Sequence, residues 1–426
     1  MLERITPAAS LRGALRLPGD KSISHRYAML AAIAEGVTRI RNYAPGADCR
    51  STLECLGALG APVEQQGHEV VIAGRGLAGL KEPAGTLDAG NSGSTLRMLS
   101  GILAAQPFST QIAGDESLSR RPMDRIMRPL AAMGASIQAR EGRYPPLEIH
   151  GGALQPIDYA LPVASAQVKT CVLFAGLHAG GVTTVREPVR TRDHTELALR
   201  EFGAGLEVRE RVISVRGPAR LTARELTVPG DLSTAAFFLV AALLVPDSEL
   251  VLEQVGLNPT RAALLDFLAG MGAGISIPRV AQQAGELAGD IVVRHSRVRG
   301  GVVEGALTAA LIDEIPVLAV LGAASEQGLT VRDAAELRIK ETDRIATLAD
   351  NLRRMGVALE VRPDGFEVPG GQSFHAAELD SFGDHRIAMA AAVAALAADG
   401  ESTVAGAEAA AVSYPDFFRA LAQLRA

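Results

Sequence analysis

No apolar stretch of this sequence is long enough to cross a bilayer. The longest, Ala235 to Val245, falls well short of the roughly 20 residues that a membrane helix needs. The opening, Met1-Leu-Glu-Arg-Ile-Thr6, lacks the basic and apolar regions of a secretory signal, so a cytoplasmic location is expected. Cysteine is scarce. Cys49, Cys55 and Cys171 leave one without a partner and none at metal-ligand spacing, which fits a reducing compartment. None of the eight histidines belongs to an H-E-x-x-H pair, so neither a metal nor a cofactor is expected. The net charge of −6 speaks against a nucleic-acid partner, which would want a basic face. Lysine is the rarest charge: Lys21, Lys81, Lys169 and Lys340 are the only lysines among 42 basic residues. Three of those four fall in stretches that stand out below on other grounds. A lysine is a compact, titratable point charge that arginine does not replace well.

What is present describes an ordinary globular protein, 48% hydrophobic and 21% charged, and 426 residues predict two domains rather than one core. The segment that organises the rest is Pro18-Gly-Asp-Lys-Ser-Ile-Ser-His-Arg26. It breaks the chain and then opens a helix that is apolar from Tyr27 to Ile33. Asp20, Ser22 and Ser24 can cap its first turn. Lys21 and Arg26 put positive charge where the helix dipole is already positive. An anion that completes the cluster explains this, and so does a solvated basic helix start.

The pattern recurs six times. Polar starts at Lys21-Ser22, Asn91–Ser94, Ser165–Gln167, Asp231–Ser233, Asp313-Glu314 and Asp384–Arg386 open alanine-rich helices that are apolar nearly all round, hence buried. Short strands follow, including Val37–Ile40, Val182–Val185, Leu250–Leu252 and Leu329–Val331. Amphipathic helices lie between them and end at Gly60, Gly134, Gly203, Gly272 and Gly356, as left-handed helix caps do. The interval of about seventy residues is that of an internal repeat. The expected fold is α/β, in two lobes of three repeats each, with buried helices sheathed by sheets and outer helices. The G-x-G-x-x-G match at Gly74–Gly79 is a decoy, because no helix follows it to hold a pyrophosphate.

With the repeats arranged symmetrically, the helix starts converge on a cleft between the lobes. Lys21, Arg26, Arg97, Lys340 and Arg386 would there suit substrates carrying phosphate and carboxylate groups. Asp313 and Glu341 could trade protons with such substrates. Read alone, Asp313 serves equally as a helix cap and Glu341 as half of a surface ion pair. Neither a nucleophilic cysteine nor a G-x-S-x-G elbow marks a covalent intermediate.

Six motifs, in order and over nearly the whole chain, resemble those of the 5-enolpyruvylshikimate-3-phosphate synthase family. They are Leu17–Arg26, Gly90–Arg97 (Gly-Asn-Ser-Gly-Ser-Thr-Leu-Arg), Arg121-Pro-Met123, Ser165–Lys169 (Ser-Ala-Gln-Val-Lys), Arg338–Arg344 (Arg-Ile-Lys-Glu-Thr-Asp-Arg) and Gly383-Asp-His-Arg386. The resemblance implies the enolpyruvyl transferase fold, with βαβαββ-type repeats. It implies a lobe of residues 1–19 with 230–426, a lobe of residues 20–229, and an active site in the cleft between them. It also implies transfer of the enolpyruvyl group of phosphoenolpyruvate to the 5-hydroxyl of shikimate 3-phosphate, on the route to chorismate and the aromatic amino acids. No nucleic-acid or membrane partner is implied, and a monomer is the family expectation.

By motif, Lys21, Ser22, Arg26, Ser165, Gln167, Asp313 and Lys340 would hold shikimate 3-phosphate. Lys21, Gly93, Arg121, Gln167, Arg344 and Arg386 would hold phosphoenolpyruvate. Asp313 would accept the hydroxyl proton, with Glu341 and Lys21 as candidates for proton transfer at the methylene carbon. Asp20, Ala166, Glu336 and Val412 depart from the best-known form of the family, where Ser, Ser, Asn and Lys are usual. With Arg192–Glu196 and Asn258–Arg261 they are similar to its second class, known for glyphosate tolerance, in which Arg192 helps to grip the sugar-acid phosphate. Gly93, however, keeps the small residue of the sensitive pocket. The related UDP-N-acetylglucosamine enolpyruvyl transferases have Lys-Asn where this chain has Lys21-Ser22, and usually a cysteine within the stretch equivalent to Gly114–Pro122. A non-catalytic repeat scaffold would have no use for Lys21, Asp313 and Glu341 together.

Overall fold

A computed structural model describes residues 1–425. The chain divides into two compact units. One comprises Met1–Leu17, Gly230–Ala281 and Leu287–Ala426, the other Pro18–Pro229 with Gln282–Glu286. Each has its own apolar core.

Each core is built on three buried helices. Lys21–Ala32, Gly93–Leu103 and Ala166–Gly176 form one trio, and Leu232–Leu244, Ile315–Ala324 and His385–Leu396 the other. In the helix of residues 385–396 every residue is buried. A helix without a polar face has to be covered on all sides, and here sheets and further helices cover it. The outer helices Asp124–Ala132 and Arg344–Arg354 are amphipathic by contrast, burying Ile126 and Leu130, and Ile345, Leu348 and Leu352. The five glycines spaced along the repeat share left-handed backbone, with φ from +81° at Gly356 to +99° at Gly134. Side chains rarely adopt that conformation, so glycine ends each outer helix and turns the chain toward its strand.

Six sheets complete the repeats. In one, Leu87–Asp88 runs parallel to Ser109–Ala113, which pairs antiparallel with Tyr144–His150, itself antiparallel to Ser136–Arg140. The same order of pairings joins Asp158–Ala160, Gly181–Arg186, Val212–Gly217 and Leu206–Arg209. It joins Gly301–Val303, Leu329–Val331, Gly365–Val368 and Glu360–Arg362 as well. The parallel pair needs a crossover, which the buried helix supplies, and the antiparallel pair needs only a turn. Two repeats exchange their first strand. Arg12–Arg16 precedes the helix of residues 21–32 yet pairs with Glu249–Gly256, and Glu225–Thr227 precedes that of residues 232–244 yet pairs with Val37–Arg41. In the sixth sheet Leu2–Ile5 takes the antiparallel place beside Ser402–Ala405. The architecture is therefore α/β with repeated units, as the periodicity predicted. Among the described residues, no helix is long and apolar enough to cross a membrane.

Candidate active site

The site residues named from sequence divide between the units. Lys21, Ser22, Arg26, Gly93, Arg121, Ser165, Gln167 and Arg192 lie in the unit of residues 18–229, and Asp313, Lys340, Glu341, Arg344 and Arg386 in the other. Each group is gathered at helix starts.

In the first unit, Gly19 makes the entry possible, because a Cβ there would lie 1.8 Å from the Asn42 carbonyl oxygen. Asp20 then caps the helix, accepting from the Ile23 N–H at 2.9 Å. Lys21, the first helical residue, places Nζ 2.8 Å from the Asp48 carboxylate. Part of the negative charge that Lys21 calls for is thus internal. Ser24 does not cap. Its hydroxyl accepts from the Ala44 N–H at 3.0 Å.

Arg26 is buried, which excludes the solvated reading. Its guanidinium donates to the Ser22 carbonyl at 2.7 Å, the Thr195 hydroxyl at 2.7 Å and the Thr170 hydroxyl at 3.0 Å. Burial pushes its pKa down to about 10, Asp20 and Glu196 oppose the shift, and the nearby like charge of Arg192 adds to it. Ser165 caps the helix of residues 166–176. Gln167 receives Arg97 Nη1 at 2.8 Å and donates to Ser94 at 2.9 Å, so the second and third buried helices meet at their starts. Gly93 lies under this pair, where a Cβ would come within 2.9 Å of Arg97 Nη1. Arg121 donates to Asn91 at 2.9 Å and Ser117 at 3.1 Å. This face of the unit is rich in cations.

In the other unit Asp313 does not hold the N-cap position. The helix begins at Ile315 with Glu314 at its N-cap, and Glu314 makes no side-chain capping bond. The Asp313 carboxylate instead faces three cations, Arg344 Nη1 at 3.6 Å and Lys340 Nζ and Arg386 Nε at 3.9 Å each. Its carbonyl accepts from Arg386 Nη1 at 2.8 Å. Arg344 is buried and also pairs with Glu341 at 2.6 Å and Asp384 at 2.8 Å. Glu341 is therefore held inside a network rather than in a surface pair. Asp384 caps the helix of residues 385–396, accepting from the Arg386 N–H at 2.8 Å. Burial, the largest influence, would raise the Asp384 pKa, but the charges of Arg344 and His385 and the Arg344 hydrogen bond together outweigh it and the net shift is downward. Burial lowers the Lys340 pKa, with Asp313 opposing and Arg344 reinforcing the shift. Glu336, set aside from sequence, lies close enough to raise it slightly.

Sequence reasoning missed Asp48, Thr170, Thr195 and Asp384 as partners of these cations. Only Asp384 carried a local signal, as a cap beside Arg386. Asp48 is 27 residues from Lys21, and nothing near either one announces the pair.

A sequence model described as EPSP synthase (3-phosphoshikimate 1-carboxyvinyltransferase) matches residues 5–421. The chain belongs to this family. A relative from Solibacter usitatus named 3-phosphoshikimate 1-carboxyvinyltransferase is 66% identical over all of both chains. The EPSP synthase structure from Acinetobacter baumannii superposes with a TM-score of 0.90 at 41% identity, covering 100% of this chain and 98% of that one. The enolpyruvyl transferase NikO from Streptomyces tendae superposes at a TM-score of 0.80, covering 99% and 97% of the two chains. At 21% identity it speaks for the fold alone. An EPSP synthase family member is a transferase, and the match speaks for that reading over the UDP-sugar and scaffold alternatives.

Proposed function

We propose that the chain transfers the enolpyruvyl group of phosphoenolpyruvate to the 5-hydroxyl of shikimate 3-phosphate and releases phosphate. The full-length family match supports the reaction. At the level of residues one observation carries the reading. Among the described residues the buried Arg344 Nη1 has no hydrogen-bond partner, while Asp313 lies 3.6 Å away. An unsatisfied buried donor costs about 1–3 kcal/mol, and a carboxylate or phosphate oxygen of substrate would recover it.

In this reading Lys21, Gly93, Arg121, Gln167, Arg344 and Arg386 hold phosphoenolpyruvate. Lys21, Ser22, Arg26, Ser165, Gln167, Arg192, Asp313 and Lys340 hold shikimate 3-phosphate. The planar forks of the arginines suit the two oxyanions of each substrate. Asp313 accepts the proton of the 5-hydroxyl as its oxygen bonds to C2 of phosphoenolpyruvate. A proton delivered to C3 turns the methylene into a methyl group and leaves a tetrahedral intermediate. Loss of a proton from that methyl group then expels phosphate and restores the double bond. Glu341 and Lys21 are the candidates for the carbon proton, each beside an opposite charge that its own change of charge would perturb. A cytoplasmic, monomeric enzyme that needs no metal or cofactor is part of the same reading.

Proton NMR of the purified protein with both substrates tests it. A new pair of vinyl protons on an enol ether at the 5-oxygen, appearing with free phosphate, is expected. Unchanged spectra would defeat the proposal.

A further inference from the structure

The mechanism leaves one cluster of buried charge unused. Lys169, fully buried, has Nζ 2.7 Å from Glu196 and 3.1 Å from Glu187, with both carboxylate side chains at most 5% exposed. Taking three charges out of water is expensive, so such a cluster is weak evidence of a stabilising role. Lys169 sits one turn into the helix whose start carries Ser165 and Gln167. The carboxylates flank residues 188–195, a stretch without regular structure until the helix His194–Glu201. Glu187 also accepts from the Thr191 N–H at 3.3 Å and from the Thr191 hydroxyl. At the other end Thr195 hydrogen-bonds to Arg26 at 2.7 Å and to Thr170 at 2.6 Å. Arg192 lies between these two anchorages.

We infer that Lys169 is a positioning residue: its pairs with Glu187 and Glu196 fasten the segment 187–196 to the helix of residues 166–176 and so fix Arg192 relative to Ser165 and Gln167 for gripping the phosphate of shikimate 3-phosphate. The inference rests on the functional reading above. The geometry makes it specific to one substrate. The tethered segment carries Arg192, whereas Arg121, Arg344 and Arg386 are held by other partners. A guanidinium displaced by about 1 Å loses a bidentate grip, and misplacement of that size costs up to about a hundredfold.

Steady-state kinetics of Lys169→Met, with Thr191→Val as a milder companion, test this. Thr191→Val removes the hydroxyl bond to Glu187 and leaves the backbone N–H bond, so it loosens the tether while all three buried charges stay paired, and it yields data even if Lys169→Met folds poorly. Both variants are expected to raise KM for shikimate 3-phosphate, Lys169→Met by about tenfold or more, with KM for phosphoenolpyruvate within about twofold of wild type. Adding Arg192→Ala to either should cost much less than it costs in the wild type, because residues acting through one another are not additive. Equal rises in both KM values, or effects that multiply with Arg192→Ala, would overturn the inference while an active wild type upholds the functional reading. A wild type inactive with this substrate pair would overturn both.

Discussion

At the scale of single residues, the distinguishing feature is cations held by carboxylates that are themselves confined. Lys21 is the sharpest case, a helix-start ammonium 2.8 Å from Asp48, whose side chain is 9% exposed. Lys21→Met should reduce kcat/KM by at least about a thousandfold, since it removes a charge assigned to both substrates. It should also lower stability by about 1–3 kcal/mol, because Asp48 loses a partner. Near-wild-type turnover would remove Lys21 from the site, and an unchanged denaturation midpoint would contradict the Asp48 pairing. His25 gives a prediction in pH. It is buried with Nδ1 2.6 Å from the Thr52 hydroxyl, and burial pushes its pKa from 6.5 down to about 3. The unfolded chain binds a proton that the folded chain refuses. Its contribution is therefore complete above pH 6.5 and lost as pH falls toward 3. His25→Asn should flatten the pH dependence of stability by up to about 1.4 kcal/mol per pH unit in that window. Parallel curves for variant and wild type would show that the imidazole is not held neutral.

At the scale of elements, the buried helices are legible in sequence because their signals are local. A polar cap followed by a run without a charged face has few alternatives, and Ser92, Ser165, Asp231 and Asp384 all cap where the sequence placed helix starts. The Asp313-Glu314 start stands where the helix begins, with Glu314 at the N-cap, but no side-chain capping bond from Glu314 forms there, for a physical reason. Both look like cap residues, but Glu314 pairs with Arg261 at 3.2 Å and Asp313 faces Arg344, Lys340 and Arg386. Those partners are distant in sequence, so the competition was invisible. The cap at Asp384 carries a double duty that Asp384→Ala exposes. The variant loses a cap worth about 1 kcal/mol and strands the buried Arg344, for a total of about 3–5 kcal/mol by chemical denaturation. A loss near 1 kcal/mol alone would mean that Asp313 and Glu341 suffice for Arg344.

At the scale of the whole molecule, six repeats in two units were readable from glycines at intervals of about seventy residues, whereas strand partnership was not. Arg12–Arg16 and Glu225–Thr227 each pair with a strand from another repeat, and residues 282–286 group with the unit of residues 18–229. Such choices are settled by long-range register, which short strands do not encode. The candidate site was legible to the same degree. The cations and Asp313 sit in contiguous motifs, but Asp48, Thr195 and the Lys169 cluster owe their places to chain folding. The measurement that tests the account most directly is phosphate release from phosphoenolpyruvate with two acceptors supplied separately, shikimate 3-phosphate and UDP-N-acetylglucosamine. Release with the first alone is the predicted result. Release with the second alone, or with neither, would contradict it.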